Sequence, residues 1–303
     1  MIAGPTVDRR LSEFVDRDRE MAEFRAMLAS DEKSIMVVWG ELGIGKTWLR
    51  MRMVHECSIR GIRKSEVDWM GSYSPDYRRT MAKIRDDIGA ACFNHYTDLV
   101  NFFYQRDYQP QFNVIVNVQG SIAVGTNMSV ERGNVGDVAG IVIKDCMMTD
   151  PRTDIAVEEQ ERRRRLTERF LQDLQGATEP GPIVVFFDGV ERMSRDTDAW
   201  IWEQLLEAPR SGSLKQVKFV LLGEKRPPSE GDWMFCMSEA ELRPLGHADI
   251  VKYIMKRLPD ESEKSVVLLA DLILDTTGGR AAAVAAMVQA TLKARARRID
   301  ANG

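Results

Sequence analysis

An α/β fold, with a parallel sheet covered by helices on both faces, is predicted by three features of this sequence. Short apolar runs alternate with stretches of helical periodicity. One such run, residues 34–39, leads into a glycine-rich turn that opens a helix, and another, residues 182–187, ends on Asp188. Strands buried on both faces read as nearly continuous apolar runs, and their alternation with helices is the pattern of a parallel sheet.

The elements follow in order. Residues 14–20 lead into a helix with Met21, Phe24, Met27 and Leu28 on one face, and Asp16 or Asp18 is placed to cap it. After the strand at 34–39 comes the helix carrying Leu49, Met53 and Cys57, then a strand at 66–70 and helical patterns at 82–88 and around 99–104. Residues 113–143 differ: Val114, Val116 and Val118 alternate, and Gly120, Gly125, Gly133, Gly136 and Gly140 punctuate them, which reads as a small β-rich insertion over 113–144. Helix returns at 155–174, where Glu158, Glu159 and Glu161 each precede an arginine by four residues (Arg162, Arg163, Arg165). Three pairs in the favourable orientation make a solvated helix, and the run from Arg162 to Arg165 needs no nucleic acid to explain it.

The strand ending at Asp188 is followed by a helix with Trp200, Ile201, Leu205 and Leu206, and then by a strand at 217–222. Beyond about residue 245 the patterns are helical only, at 248–258, 264–275 and 281–298, with Gly278-Gly279 breaking the last two. The expected organisation is a sheet-bearing core over 1–240, carrying the 113–144 insertion, and a helical lid over 241–303.

Composition narrows the function. The 303 residues are 44% hydrophobic and 29% charged, and 46 acids against 42 bases leave a net charge of −4. That balance offers nucleic acid or an anionic membrane no electrostatic attraction as main partner. Four scattered cysteines (Cys57, Cys92, Cys146, Cys236) and three histidines show no zinc-ligand spacing, and reduced, mostly buried thiols are expected. The N-terminal residues lack the order of a signal peptide, and no apolar run approaches the ~20 residues that cross a bilayer. The expectation is a cytoplasmic protein.

Gly40-Glu41-Leu42-Gly43-Ile44-Gly45-Lys46-Thr47 has every fixed position of the P-loop and stands between an apolar strand and a helix start, with Trp48 next. Glycines let backbone N–H groups approach phosphate oxygens, Lys46 reaches the outer phosphates, and Thr47 offers its hydroxyl to Mg²⁺. Asp188, at the end of a strand taken to lie beside the P-loop strand, is the expected second metal ligand. Gly189 follows it, so Glu191 is the nearest acid to orient an attacking water. An exposed acid serving only a helix start is the competing reading of Glu191, and slow or absent hydrolysis follows from it. Arg226, or Lys225, ends the next strand, where a cation can sense a γ-phosphate; a solvated turn charge is the alternative. His55 is given no role. No Asn/Thr-Lys-x-Asp specifies guanine, and no Leu-Ser-Gly-Gly signature is present.

With these motifs in place, the chain resembles the STAND class of signalling ATPases, which includes NACHT and apoptotic ATPases. Phe14-Val15-Asp16-Arg17-Asp18-Arg19-Glu20 looks like the lead-in on the adenine side, which implies nucleotide contacts from Phe14, Val15 and Arg17. Phe187-Asp188-Gly189-Val190-Glu191 is similar to the NACHT second motif, although Arg192 stands where a second acid is usual. Leu242-Arg243-Pro244-Leu245 and Thr277-Gly278-Gly279-Arg280 look like the start and the turn of a helical lid, with Ala281 in place of proline. The resemblance implies an ATP/ADP-controlled switch with Mg²⁺, working with effector or sensor partners on other chains. It also points to a prokaryotic defence or stress system. Separately, the unpaired edges of short strands over 113–144 invite self-association or docking of a partner, with a hairpin packed on its own domain as the alternative. A non-hydrolysing nucleotide-binding scaffold and a small-molecule P-loop kinase are the alternatives. Arg210 is a weak candidate for an arginine finger.

Overall fold

Three nearly all-apolar strands form the middle of one sheet. In this computed structural model, which describes residues 16–70, 76–104, 151–209, 212, 214, 216–228 and 230–302, they are β1 (Ile35–Trp39), β3 (Ile183–Asp188) and β4 (Val217–Gly223). The two edges are β2 (Arg63–Asp68) and β5 (Met237–Glu241). The order is β2-β3-β4-β1-β5, and every pairing is parallel. This is the α/β architecture the sequence predicts. The expected insertion at 113–144 lies outside the described residues.

The edge strands depart from the sequence expectation. The strand expected at 66–70 begins three residues earlier, at Arg63, and β5 has no counterpart among the expected elements. Among the described residues each has one side without a partner strand, so polar residues are tolerated there: Arg63 and Lys64 in β2, Glu239 and Glu241 in β5. An apolar-run criterion finds central strands and passes over such edges.

The helices that alternate with the strands are α1 (Asp18–Ala29), α2 (Lys46–Ile59), α3 (Tyr77–Ile88), α4 (Asn94–Tyr104), α5 (Pro151–Gly176) and α6 (Arg195–Trp200). α6 runs on into a wider turn at Ile201–Leu205. Strand residues alternate between faces, so Met36, Val38, Val184, Phe186, Val220 and Leu222 share one core with Met21, Phe24 and Met27 of α1 and Leu49, Met53 and Cys57 of α2. On the opposite parity, Trp69 stacks on Phe187 with centroids 5.4 Å apart, and Phe187 stacks on Phe219 at 6.4 Å. Buried Lys218 of β4 donates to the carbonyls of Ser30 (2.6 Å) and Lys33 (2.8 Å), so its charge answers the C-terminal end of α1.

Neither expected acid caps α1. Its N-cap position is Arg17, in a left-handed conformation (φ 73°) with no side-chain cap bond, and that side chain is used elsewhere. The thiols also differ from expectation: Cys57 is buried, and burial pushes its thiol up to about 12, but Cys92 is exposed and Cys236 partly so. Cys146 lies outside the described residues.

The described residues form two compact units, one made of the chain up to Tyr96 together with Thr167 onward, the other Thr97–Leu166. In the second, Glu161 accepts from Arg164 and Arg165, each 2.8 Å or less, which lowers its carboxyl to about 2. The Glu161–Arg165 pair expected from the spacing is therefore formed. In the first unit, α7 (His247–Arg257), α8 (Glu263–Thr277) and α9 (Ala281–Asn302) follow β5. They have a hydrophobic cluster of their own that includes Ile250, Ile254, Val266, Ile273, Val284 and Val288. Among the described residues no helix is long and apolar enough to cross a membrane.

The turn between α8 and α9 makes two unequal demands. Gly278 (φ 59°) caps α8 and has open space where a Cβ would stand. Gly279 (φ 74°) accepts from the Leu245 N–H at 2.8 Å, and a Cβ there would collide with the Leu245 carbonyl oxygen. Gly278→Ala should therefore cost about 1 kcal/mol, the left-handed penalty alone. Gly279→Ala should cost more than about 2 kcal/mol, because strain and collision add. Urea unfolding of the two variants reads the difference, and equal losses would contradict the unequal crowding of the two glycines.

Candidate functional site

The loop between β1 and α2 begins at a point of close approach. Gly40 N–H donates to Gly223 O of β4 (3.2 Å), and a Cβ on Gly40 would lie 2.9 Å from the carbonyl oxygen of Leu242. Only glycine fits between those two backbones. Gly43 and Gly45 take positive φ (80° and 107°), which turns the loop into the N-terminus of α2. The chain thereby presents N–H groups, with the positive end of the helix behind them, as a site for an anion.

Lys46 and Thr47 open α2 on two different tasks. Lys46 Nζ donates to the carbonyls of Gly40 (2.6 Å) and Glu41 (3.0 Å), folding its ammonium back over the loop. Burial lowers the Lys46 ammonium from its ordinary range, against the opposing pull of Glu191, Glu224 and Asp188. Thr47 Oγ1 donates to Asp188 Oδ2 at 3.2 Å. The hydroxyl and the carboxylate expected to hold the metal are thus brought together.

One expectation about Asp188 is corrected. Its strand does not lie beside β1, because β4 runs between them. A sequence lists strands in chain order only, and the crossover that inserts β4 leaves no local mark. The end of β4 therefore lies between the loop and Asp188, and the segment after β4 faces the site. There Glu191 Oε2 accepts from the backbone N–H of Glu224 at 3.1 Å. Glu191 and Lys46 are thus both at the carboxyl edge of the sheet, with Asp188.

Arg226 is placed otherwise. Its exposed guanidinium pairs with Glu239 of β5, with Nη2 2.5 Å from Oε1, and does not join this group. Lys225 is exposed, as is Leu42 of the loop, while Trp48 is partly buried on α2. Phe14, Val15 and Arg210 lie outside the described residues.

Four residues make contacts beyond the sequence expectation. Arg17, 5% exposed, donates through Nη2 to the carbonyls of Ile44 (3.1 Å) and Arg243 (2.7 Å), tying the loop to the segment after β5. Ala282, in the first turn of α9, donates its N–H to Gly43 O at 3.0 Å, and Arg280 Nε stands 3.8 Å from the Glu41 carboxylate. Finally, Arg50 of α2 puts Nε 3.2 Å from Asp188 Oδ2, Nη1 3.4 Å from Glu66 and Nη2 3.5 Å from Asp68. A signal for Arg50 is present in the sequence: it stands three and seven residues before Met53 and Cys57, on the buried side of α2.

Burial, the largest influence, raises the Asp188 carboxyl above its ordinary range; Arg50 draws it back and Asp68 adds to the rise. A raised carboxyl contributes stability at low pH and loses it as pH climbs through the raised value. At neutral pH the ionised Asp188 is therefore a net cost to the fold, of the kind that functional sites carry.

The donor set fits a nucleotide phosphate and a hard divalent cation. Backbone N–H groups and an ammonium answer the phosphate. A hydroxyl and one carboxylate leave the remaining metal positions to phosphate oxygens and water, as Mg²⁺ prefers. Among the described residues no cluster of three or more His, Cys, Asp or Glu side chains could hold a metal by itself. The strand–loop–helix geometry on a five-stranded parallel sheet makes this a P-loop NTPase fold.

No protein-family model matches the chain, and no curated protein matches it. Similar solved structures include a STAND protein with a tetratricopeptide repeat sensor from Pyrococcus horikoshii, at 13% identity and a TM-score of 0.49, over 88% of this chain and 28% of that one. Cdc6p from Pyrobaculum aerophilum is similar at 12% identity and a TM-score of 0.45, over 89% and 61%. DnaA from Aquifex aeolicus, bound to AMPPCP, is similar at 14% and 0.44, over 93% and 65%. The chain thus spans between about a quarter and two thirds of the length of these proteins. Likeness at such identities says nothing about activity.

Asp188→Asn separates the cost of this site from its use. The variant should melt no lower than the parent at neutral pH without nucleotide, and the difference should narrow on acidification as the parent carboxyl takes up its proton. Stabilisation by Mg²⁺ with ATP should fall by at least about 1.4 kcal/mol, a tenfold loss of affinity. Thermal melts across the acidic and neutral range, with and without Mg²⁺-ATP, test both halves.

Proposed function

We propose that the chain is an ATP-binding switch of STAND-like character, in which nucleotide at the 40–47 loop sets the position of the C-terminal helices and thereby the engagement of partner chains. The observation that carries the reading is that two loop carbonyls are held from outside the loop, Gly43 O by the Ala282 N–H of α9 and Ile44 O by Arg17. Phosphate binding reorients loop peptides, so it must work with or against those two bonds. Nucleotide occupancy and the seating of α9 are then one linked equilibrium.

In this reading Lys46 and the loop amides bind the phosphates, and Thr47 and Asp188 hold Mg²⁺, which supplies charge neutralisation at the outer phosphates when bound. Glu191 orients water for slow hydrolysis. The lead-in residues Phe14 and Val15 are proposed to lie on the adenine side, with Arg17 fixing the loop, and Arg280 is proposed as the cation that the C-terminal helices bring to the nucleotide. The helical segment from 241 acts as the lid. Effector or sensor chains and a prokaryotic defence or stress system belong to the same proposal on the resemblance alone; self-association through 113–144 is added on the unpaired edges expected of short strands, and a cytoplasmic location on the sequence.

A non-hydrolysing scaffold is the second reading, favoured by the Glu224 N–H that already engages Glu191. A small-molecule kinase is disfavoured. Arg280 is one cation near the loop, but Lys293 and Arg297 lie at least 12 residues along α9 from Ala281, roughly 18 Å or more along the helix at 1.5 Å per residue, and do not join it in a cationic cover.

At about a hundredfold excess over the dissociation constant, ATP should stabilise the wild type by roughly 2.7 kcal/mol. Lys46→Ala should abolish that gain. Glu191→Gln should keep it while lowering turnover by at least about tenfold, the scale of a lost general base. Size in solution should differ between the ATP and ADP states. Binding without turnover in the wild type would move the assignment to the scaffold, and fast turnover that requires an added metabolite would move it to the kinase.

A further inference from the structure

Arg50 has three acidic neighbours and one of them is a proposed metal ligand. Glu66 and Asp68 come from β2 and Asp188 from β3, with Asp68 and Asp188 facing each other in register at the carboxyl edge. Arg50, whose guanidinium joins them, is 8% exposed. Thr47 and Arg50 are three residues apart on α2, and both address the same atom, Asp188 Oδ2, each at 3.2 Å. Among the described residues the Nε–H of Arg50 has no hydrogen-bond partner, so its hold on Asp188 is one of charge at short range.

We propose that Arg50 is a positioning residue that competes with the divalent cation for Asp188 and hands the carboxylate over when the metal arrives with nucleotide. This rests on reading Thr47 and Asp188 as the metal pair. A buried carboxylate left alone is costly, and the guanidinium covers it while no metal is bound. A buried arginine left alone is equally costly, and here the other two acids matter. When Asp188 turns to the metal, Glu66 and Asp68 keep the guanidinium paired, so no stage of the exchange leaves a bare buried charge. The protein therefore has little affinity for Mg²⁺ alone and takes it with phosphate oxygens already in place.

A merely structural Arg50 and this exchange make different predictions about metal. The test follows Mg²⁺-dependent stabilisation by ATP, with Mn²⁺ binding in the absence of nucleotide as a second readout. Arg50→Gln should lower the half-saturating Mg²⁺ concentration by about tenfold, within the usual range of coupling between sites, and should make Mn²⁺ binding measurable without nucleotide. The double variant Glu66→Gln/Asp68→Asn, which leaves the guanidinium with Asp188 alone, should move the Mg²⁺ requirement the opposite way, to higher concentration. Arg50→Lys, which keeps the charge, should stay closer to the wild type in metal dependence than Arg50→Gln whatever its melting temperature. Unchanged metal dependence in Arg50→Gln, or a shift of the same sign in the double variant, would overturn the proposal. If Arg50→Gln does not fold, the double variant decides alone. A wild type that gains nothing from Mg²⁺-ATP would instead remove the nucleotide reading itself.

Discussion

A carboxylate is buried at the end of an otherwise apolar strand, and much of the carboxyl edge of this sheet is arranged to answer it. Asp188 is 3% exposed, and water can do little for its charge. Thr47 and Arg50 reach it from a single helix, Lys46 contributes at longer range, and β2 supplies Glu66 and Asp68 to occupy the rest of the arginine. The helix can do this only because the glycine loop delivers it at that height above the sheet. That in turn requires Gly40 to pass between Gly223 and the backbone of Leu242. The loop, the helix and the two acidic strand ends therefore stand or fall together.

How much can be read from residues alone depends on how local each cause is. The 40–47 loop is legible because its chemistry needs fixed residues at fixed spacing, and β1, β3 and β4 are legible because double-sided burial leaves apolar runs. β5 is not, since Met237-Ser238-Glu239-Ala240-Glu241 is held by pairing with β1 and by little in its own composition. The placement of β4 between β1 and β3 is a property of crossovers and is invisible locally. Arg17 stands out in the sequence through a motif, but its engagement by two backbone carbonyls far away in the chain has no local mark. Arg226 attracts notice by its position after β4, and an acid across on β5 claims it. Long side chains choose partners among several within reach, and local sequence sets the reach and not the choice.

The site and the C-terminal helices share contacts. The loop is bonded at Gly43 and Ile44 by groups that belong to other segments, and the turn at Gly278-Gly279 is pinned to Leu245 by backbone alone. Small residues crowd the junction: the positions where Gly43 and Gly45 would carry side chains already face Ala282 and Ala281 at 3.5 and 3.4 Å. The alanines that open α9 are thus the size that lets a helix end rest on the loop.

That junction also has a mechanical side. α9 starts on the loop and continues for 22 residues, a rod of about 33 Å at 1.5 Å per residue. A rod pivoting at one end magnifies small rotations, so a tilt of about 5° at Ala281 sweeps its far end through roughly 3 Å over that length. Sub-ångström rearrangements of the 40–47 loop would then become displacements as large as a side chain, at a distance where no group of the site itself can reach.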